Sequence, residues 1–95
     1  MFIVILRFSE KKNEAASFME GHNQWIKKGF EDGVFLVVGS LQPGLGGVVF
    51  AHGISRKDLE DFVSQDPFVI EGVVAAEILE IEAKKATEQL RFLLT

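Results

Sequence analysis

The spacing of apolar positions changes several times along the chain, and each change marks an element. Residues 2–8, FIVILRF, form a β-branched and aromatic run that predicts a strand. The polar SEKKN ends it, and Asn13 can cap a helix. Ala15, Phe18, Met19, His22, Trp25, Ile26, Gly29 and Phe30 then fall at spacings of three and four, one face of a helix. Gly21 is a point at which that helix can bend or break, and Gly33 is well placed to end it. VFLVVG at 34–39 and VVFAHG at 48–53 predict two strands, joined by the turn-rich SLQPGLGG at 40–47.

Ser55 opens a second helix, with Asp58 three residues on as a weak capping box. Leu59, Phe62 and Val63 mark its buried face. Pro67 disfavours helical geometry at Asp66, so the helix should stop there. VVAAEILEI at 73–81 predicts a fourth strand, and residues 83–95 read either as a short helix or as an extended arm. The order β-α-β-β-α-β plus a tail is the α+β, ferredoxin-like split βαβ arrangement, a single domain with its core at 1–82.

The strands do not alternate cleanly between apolar and polar. FIVIL, VFLVV and VVFA are apolar at successive positions, which point to opposite faces of a sheet. Two helices cover one face of a four-stranded sheet and leave Ile, Val and Phe of the other in water, which is unusual for a monomer. Burying several hundred Å2 of it, at roughly 25 cal/mol per Å2, offers on the order of 10 kcal/mol before the costs of association. A homodimer packed sheet against sheet around a twofold axis is therefore expected. The alternative is a tail folded back over that face.

Composition narrows the classes. The chain has 95 residues, 47% of them apolar, enough for a packed core and against disorder. It has no cysteine, which excludes disulfides and cysteine-based metal sites, and a reducing cytosol fits. The net charge is −4 and the basic residues form no stripe, so neither nucleic acid nor an anionic membrane is an expected partner. MFIVIL lacks the flanks of a signal peptide, and no apolar run approaches the ~20 residues of a membrane helix.

Few residues are candidates for chemistry. His22 lies on the apolar stripe between Met19 and Trp25. An imidazole titrates near neutral pH and can serve as general acid or base, though a histidine at a helix–sheet border is often only structural. Asp66 before Pro67 is a favoured helix start, so SQDPFVIEG reads first as a capped turn. A capping carboxylate keeps a second oxygen that could orient an imidazole. His52, on the face of Val48 and Phe50, and Arg7 are candidate ligand contacts or plain strand residues. GSLQPGLGG lacks the Lys-Ser/Thr of a phosphate loop, and turn chemistry explains its glycines. Ser40 has no triad partner by spacing. Two histidines without HxxxH spacing make no expected metal site and leave only a His/carboxylate site open.

With these residues in view the chain resembles the YciI-like (YCII-related) family from Met1 to about Ile81. The likeness rests on MFIVIL, on GHNQWI with His22, on GVFLVVGSL, and on GGVVFAHGISRKDLEDFVSQDPFVIEGVV, with DPF its most specific piece. It implies a dimeric α+β barrel and a histidine–aspartate pair beside a pocket, which maps onto His22 and Asp66. A related protein is a dehydrochlorinase of a chlorinated hydroxyquinol, so the implied chemistry is lyase- or isomerase-like proton transfer without a cofactor. In that reading His22 moves the proton on a small cyclic or phenolic substrate and Asp66 holds its tautomer. Ser40 and the loop N–H groups steady developing negative charge. Phe68, Phe35 and Phe50 wall the pocket, with His52 and Arg7 as further contacts. Two other readings stand beside it. One is a module that binds a small metabolite next to a partner enzyme, and the other is a remnant whose pair serves structure alone.

Overall fold

The computed structural model describes residues 1–94. Its elements are β1 (Phe2–Phe8), α1 (Ala15–Glu31), β2 (Phe35–Leu41), β3 (Gly46–Ala51), α2 (Arg56–Val63), α3 (Pro67–Ile70) and β4 (Val74–Glu80), with short 3-10 segments at Lys12–Glu14 and Glu88–Leu94. The four strands form one antiparallel sheet in the order β2-β3-β1-β4, so this is an α+β, ferredoxin-like fold. No helix among the described residues is long and apolar enough to cross a membrane.

Several local expectations change. Asn13 caps nothing: the chain enters α1 through the 3-10 turn, with Glu14 at the N-cap and no side-chain cap bond. Ser9 holds that turn instead, its Oγ donating to the Gly72 carbonyl (2.6 Å) and accepting from the Lys11 N–H (3.0 Å). α1 runs through Gly21 without a break. It ends at Gly33, whose φ of 74° lets its N–H reach the Phe30 carbonyl and that of Val34 the Gly29 carbonyl, each at 3.0 Å. β3 stops at Ala51, which leaves His52 beyond the strand. Residues 81–87 carry no regular secondary structure, and Glu88–Leu94 of the tail form a 3-10 segment.

The two faces of the sheet differ as the unbroken apolar runs require. Phe2, Val4 and Leu6 of β1, with Val49 and Ala51 of β3, are buried beneath the helices. Ile3, Ile5, Val48 and Phe50 point the other way, beside Val37 and Leu79, which are 51% and 39% exposed. A β-bulge between Phe35 and Val37 shifts the alternation of β2 by one. Phe35, Val38 and Ser40 therefore share the helix-covered face, opposite Ala51, Val49 and Gly47.

Candidate active site

The second half of the chain supplies a carboxylate where its helix is interrupted. α2 ends at Val63, Ser64 and Gln65 turn, and Pro67 starts the single turn of α3. Proline suits the first helical position because its missing N–H is not needed there. Asp66, extended at φ −63° and ψ 123°, caps this turn, its Oδ1 accepting the Phe68 N–H at 3.0 Å. The residue is fully buried.

The same Oδ1 meets Nδ1 of His22 at 2.7 Å, across 44 positions of sequence. Cap and imidazole partner are thus one oxygen, where the sequence suggested one for each. Oδ2 is buried with no hydrogen-bond partner. An ionised carboxylate only accepts, so opposite the Asp66 carboxylate Nδ1 of His22 is the donor. In the neutral ring Nε2 is then the bare nitrogen, free to take a proton.

Two features of α1 make this meeting possible. Gly21 faces Pro67, and a Cβ there would lie 3.0 Å from Pro67 Cγ, so the missing side chain sets how closely α3 approaches α1. His22, one residue on, then lies flat on Phe68, with ring centroids 3.9 Å apart and planes 5° apart. Trp25 closes the wall behind it: its indole N–H donates to the Phe62 carbonyl (2.8 Å), and its ring packs on Phe35 and Phe62.

His22 opens onto a cleft of about 340 Å3 between α1 and the helix-covered face of the sheet. Leu6, Val38, Ser40 and Gly47 line it from the strands, and Met19, Trp25 and Ile26 from the helix. Phe68 also lines it. Its polar side chains are those of His22, Asn23 and Ser40, and among the described residues no Lys, Arg, Asp or Glu lines it. A site this small and apolar suits a small, largely unsolvated molecule.

The expected site residues divide. His22, Asp66, Ser40 and Phe68 come together. Phe35 lies deeper in the core, between Trp25, Phe30 and Phe62, and does not line the cleft. Phe50 and Arg7 point to the opposite face of the sheet, because strand alternation places them with Ile3 and Ile5. His52 lies past the end of β3, edge-on to Phe92 of the tail (5.3 Å). The loop N–H groups are not free to bind an anion as a set: Leu45 donates to Leu41 (2.8 Å), and Gly46 and Gly47 belong to the ladder. Asn23 was not among the expected residues. It lies four residues after Met19 and three before Ile26, a spacing that puts it on the same flank. No group of three or more His, Cys, Asp or Glu among the described residues could hold a metal ion.

No protein-family model matches the chain, and nothing among curated proteins matches it. Its structure is similar to a solved structure of 5-chloro-2-hydroxyhydroquinone dehydrochlorinase from Burkholderia phenoliruptrix AC1100 in complex with 2,5-dihydroxybenzoquinone. The match has a TM-score of 0.70 and 16% sequence identity, and covers 88% of this chain and 96% of that one. At this identity the likeness carries the fold and leaves the chemistry to the site itself.

Proposed function

We propose that the chain is a small-molecule enzyme of lyase or isomerase type, in which His22 transfers a proton on a cyclic or phenolic substrate held in the cleft. The observation that carries this reading is the 2.7 Å contact between His22 and a fully buried Asp66 at the edge of an apolar cleft. Asp66 is a positioning residue. It fixes the Nδ1–H tautomer and stabilises the imidazolium that forms when Nε2 takes a proton.

In an elimination, Nε2 takes the proton of a substrate C–H bond. The electron pair left behind becomes a π bond, and the leaving group departs with the pair of its own bond. In an isomerisation, the imidazolium returns the proton to a different carbon. Neither route calls on a cofactor. Ser40 Oγ and the Asn23 side-chain amide are the donors available to a developing oxyanion. The resemblance to the YciI-like family and the dehydrochlorinase activity of the structural neighbour support this class. The apolar open face of the sheet supports a homodimer in which a second copy covers it.

The test is His22→Ala, assayed with halogenated hydroquinones, phenols and lactones, with mass by light scattering in parallel. Turnover should fall at least about 100-fold while the dimer persists. Retained turnover removes His22 from the mechanism, and a monomeric wild-type protein removes the second copy. A phenol bound but recovered unchanged by the wild type would favour a binding module instead.

A further inference from the structure

Glycine inside a strand weakens it and leaves a place with no side chain to pack, so a strand glycine calls for a reason. For most of the glycines here the backbone supplies one. Gly33, Gly44, Gly46, Gly53 and Gly72 have positive φ, a Cβ on Gly29 would collide with the Phe35 ring, and one on Gly21 would press on Pro67. Gly39 and Gly47 have no such requirement: a Cβ on Gly39 meets nothing within 4 Å, and one on Gly47 meets only the Gly39 carbonyl oxygen at an ordinary 3.5 Å.

Of these two, Gly47 holds the helix-covered position. It pairs with Leu6 on one side and Ser40 on the other, and the next two residues of β3 on that face, Val49 and Ala51, are buried side chains. A side chain at 47 would continue that row into the cleft. The space that a third packed residue of β3 would fill is left to the cleft.

We propose that Gly47 is the specificity-determining position of the cleft, and that the room it leaves admits a single substituted ring. The inference rests on the reading of the cleft as a site for small cyclic molecules. The size follows from volume: an apolar protein cavity of about 150 Å3 takes up benzene, so a cleft of about 340 Å3 suits one ring with its substituents. The polar groups that touch such a ring are those of His22, Asn23 and Ser40, while the floor under it is bare backbone at Gly47.

The experiment is an NMR titration of the wild-type protein, Gly47→Ala and Gly47→Val with phenol and with 4-methylphenol. The ring signals of His22 and the side-chain amide of Asn23 report occupancy, and the Nδ1–H signal of His22 confirms that each variant keeps the bond to Asp66. Gly47→Ala should weaken 4-methylphenol about tenfold more than phenol, the usual effect of one methyl-sized change in an apolar pocket, and Gly47→Val should lose both. If both variants keep the wild-type affinities and their ratio, Gly47 does not set the size and the inference is overturned while the cleft stands as the site. If neither phenol moves the His22 or Asn23 signals of the wild type, the reading of the cleft fails and this inference goes with it.

Discussion

Ser55 and Asp66 start two helices by the same local device, eleven residues apart in the sequence. Each is extended, and each accepts a backbone N–H from the turn it opens, Asp58 at 3.1 Å for Ser55 and Phe68 at 3.0 Å for Asp66. Ser55 is exposed, and its side chain makes no other hydrogen bond among the described residues. Asp66 is fully buried, and its capping oxygen also receives the imidazole of His22. The local chemistry of a cap therefore does not decide whether it belongs to a site. What sets Asp66 apart is its burial and a partner from the other half of the chain.

Substitutions can separate the two roles. The largest effect is expected at Asp66. Asp66→Ala leaves the Phe68 N–H and the His22 Nδ1–H without their acceptor and should destabilise the fold by about 3 kcal/mol in a urea titration. Removal of the unpartnered Oδ2 returns a part of that cost. Asp66→Asn keeps a good cap but buries an amide NH2 where Oδ2 has no partner, and should cost about 1–2 kcal/mol. It loses the negative charge that faces the imidazolium, so kcat should still fall about 100-fold. Equal turnover in Asp66→Asn and wild type would reduce Asp66 to the rank of Ser55.

A smaller effect is expected from Gly21→Ala, which pushes on Pro67 and lengthens the His22–Asp66 contact while α1 gains helix propensity. Stability should stay level or rise by up to about 1 kcal/mol. Because displacements well under 1 Å already matter to catalysis, kcat should drop about fivefold with little change in KM. Unchanged kcat would mean that the approach of the two helices is not limiting. The smallest effect is expected at Ser55→Ala: about 1 kcal/mol of stability and no change in turnover. A loss of activity there would show that α2 as a whole, and not the break after it, places Asp66.

The fold was legible because its determinants are local. Apolar runs marked the strands, three-and-four spacing marked α1, and Pro67 marked the interruption. The candidate pair was legible in kind but not in geometry. Gly21 read as a weak point in a helix, whereas its meaning lies in the proline it faces, a contact that no window of sequence contains. Phe35 and Ser40 are five positions apart, and strict alternation would put them on opposite faces. The bulge that places them on one face depends on pairing with β3, so cleft wall and core wall could not be told apart in advance. Nothing in the apolar pattern marks Asn23, because an amide beside a histidine adds nothing to it.

Trp25 gives the site a property that extends beyond its chemistry. It is the only tryptophan of the chain, it lines the cleft, and its indole N–H is tied to the Phe62 carbonyl at the end of α2. The ultraviolet emission of the protein thus originates almost entirely from one wall of the cleft. A spectral shift on adding a compound reads the cleft directly, without a dye or a label. In a melting experiment, emission follows the seam between α1 and α2, while circular dichroism follows the whole backbone. If the two curves part, the cleft opens before the sheet does.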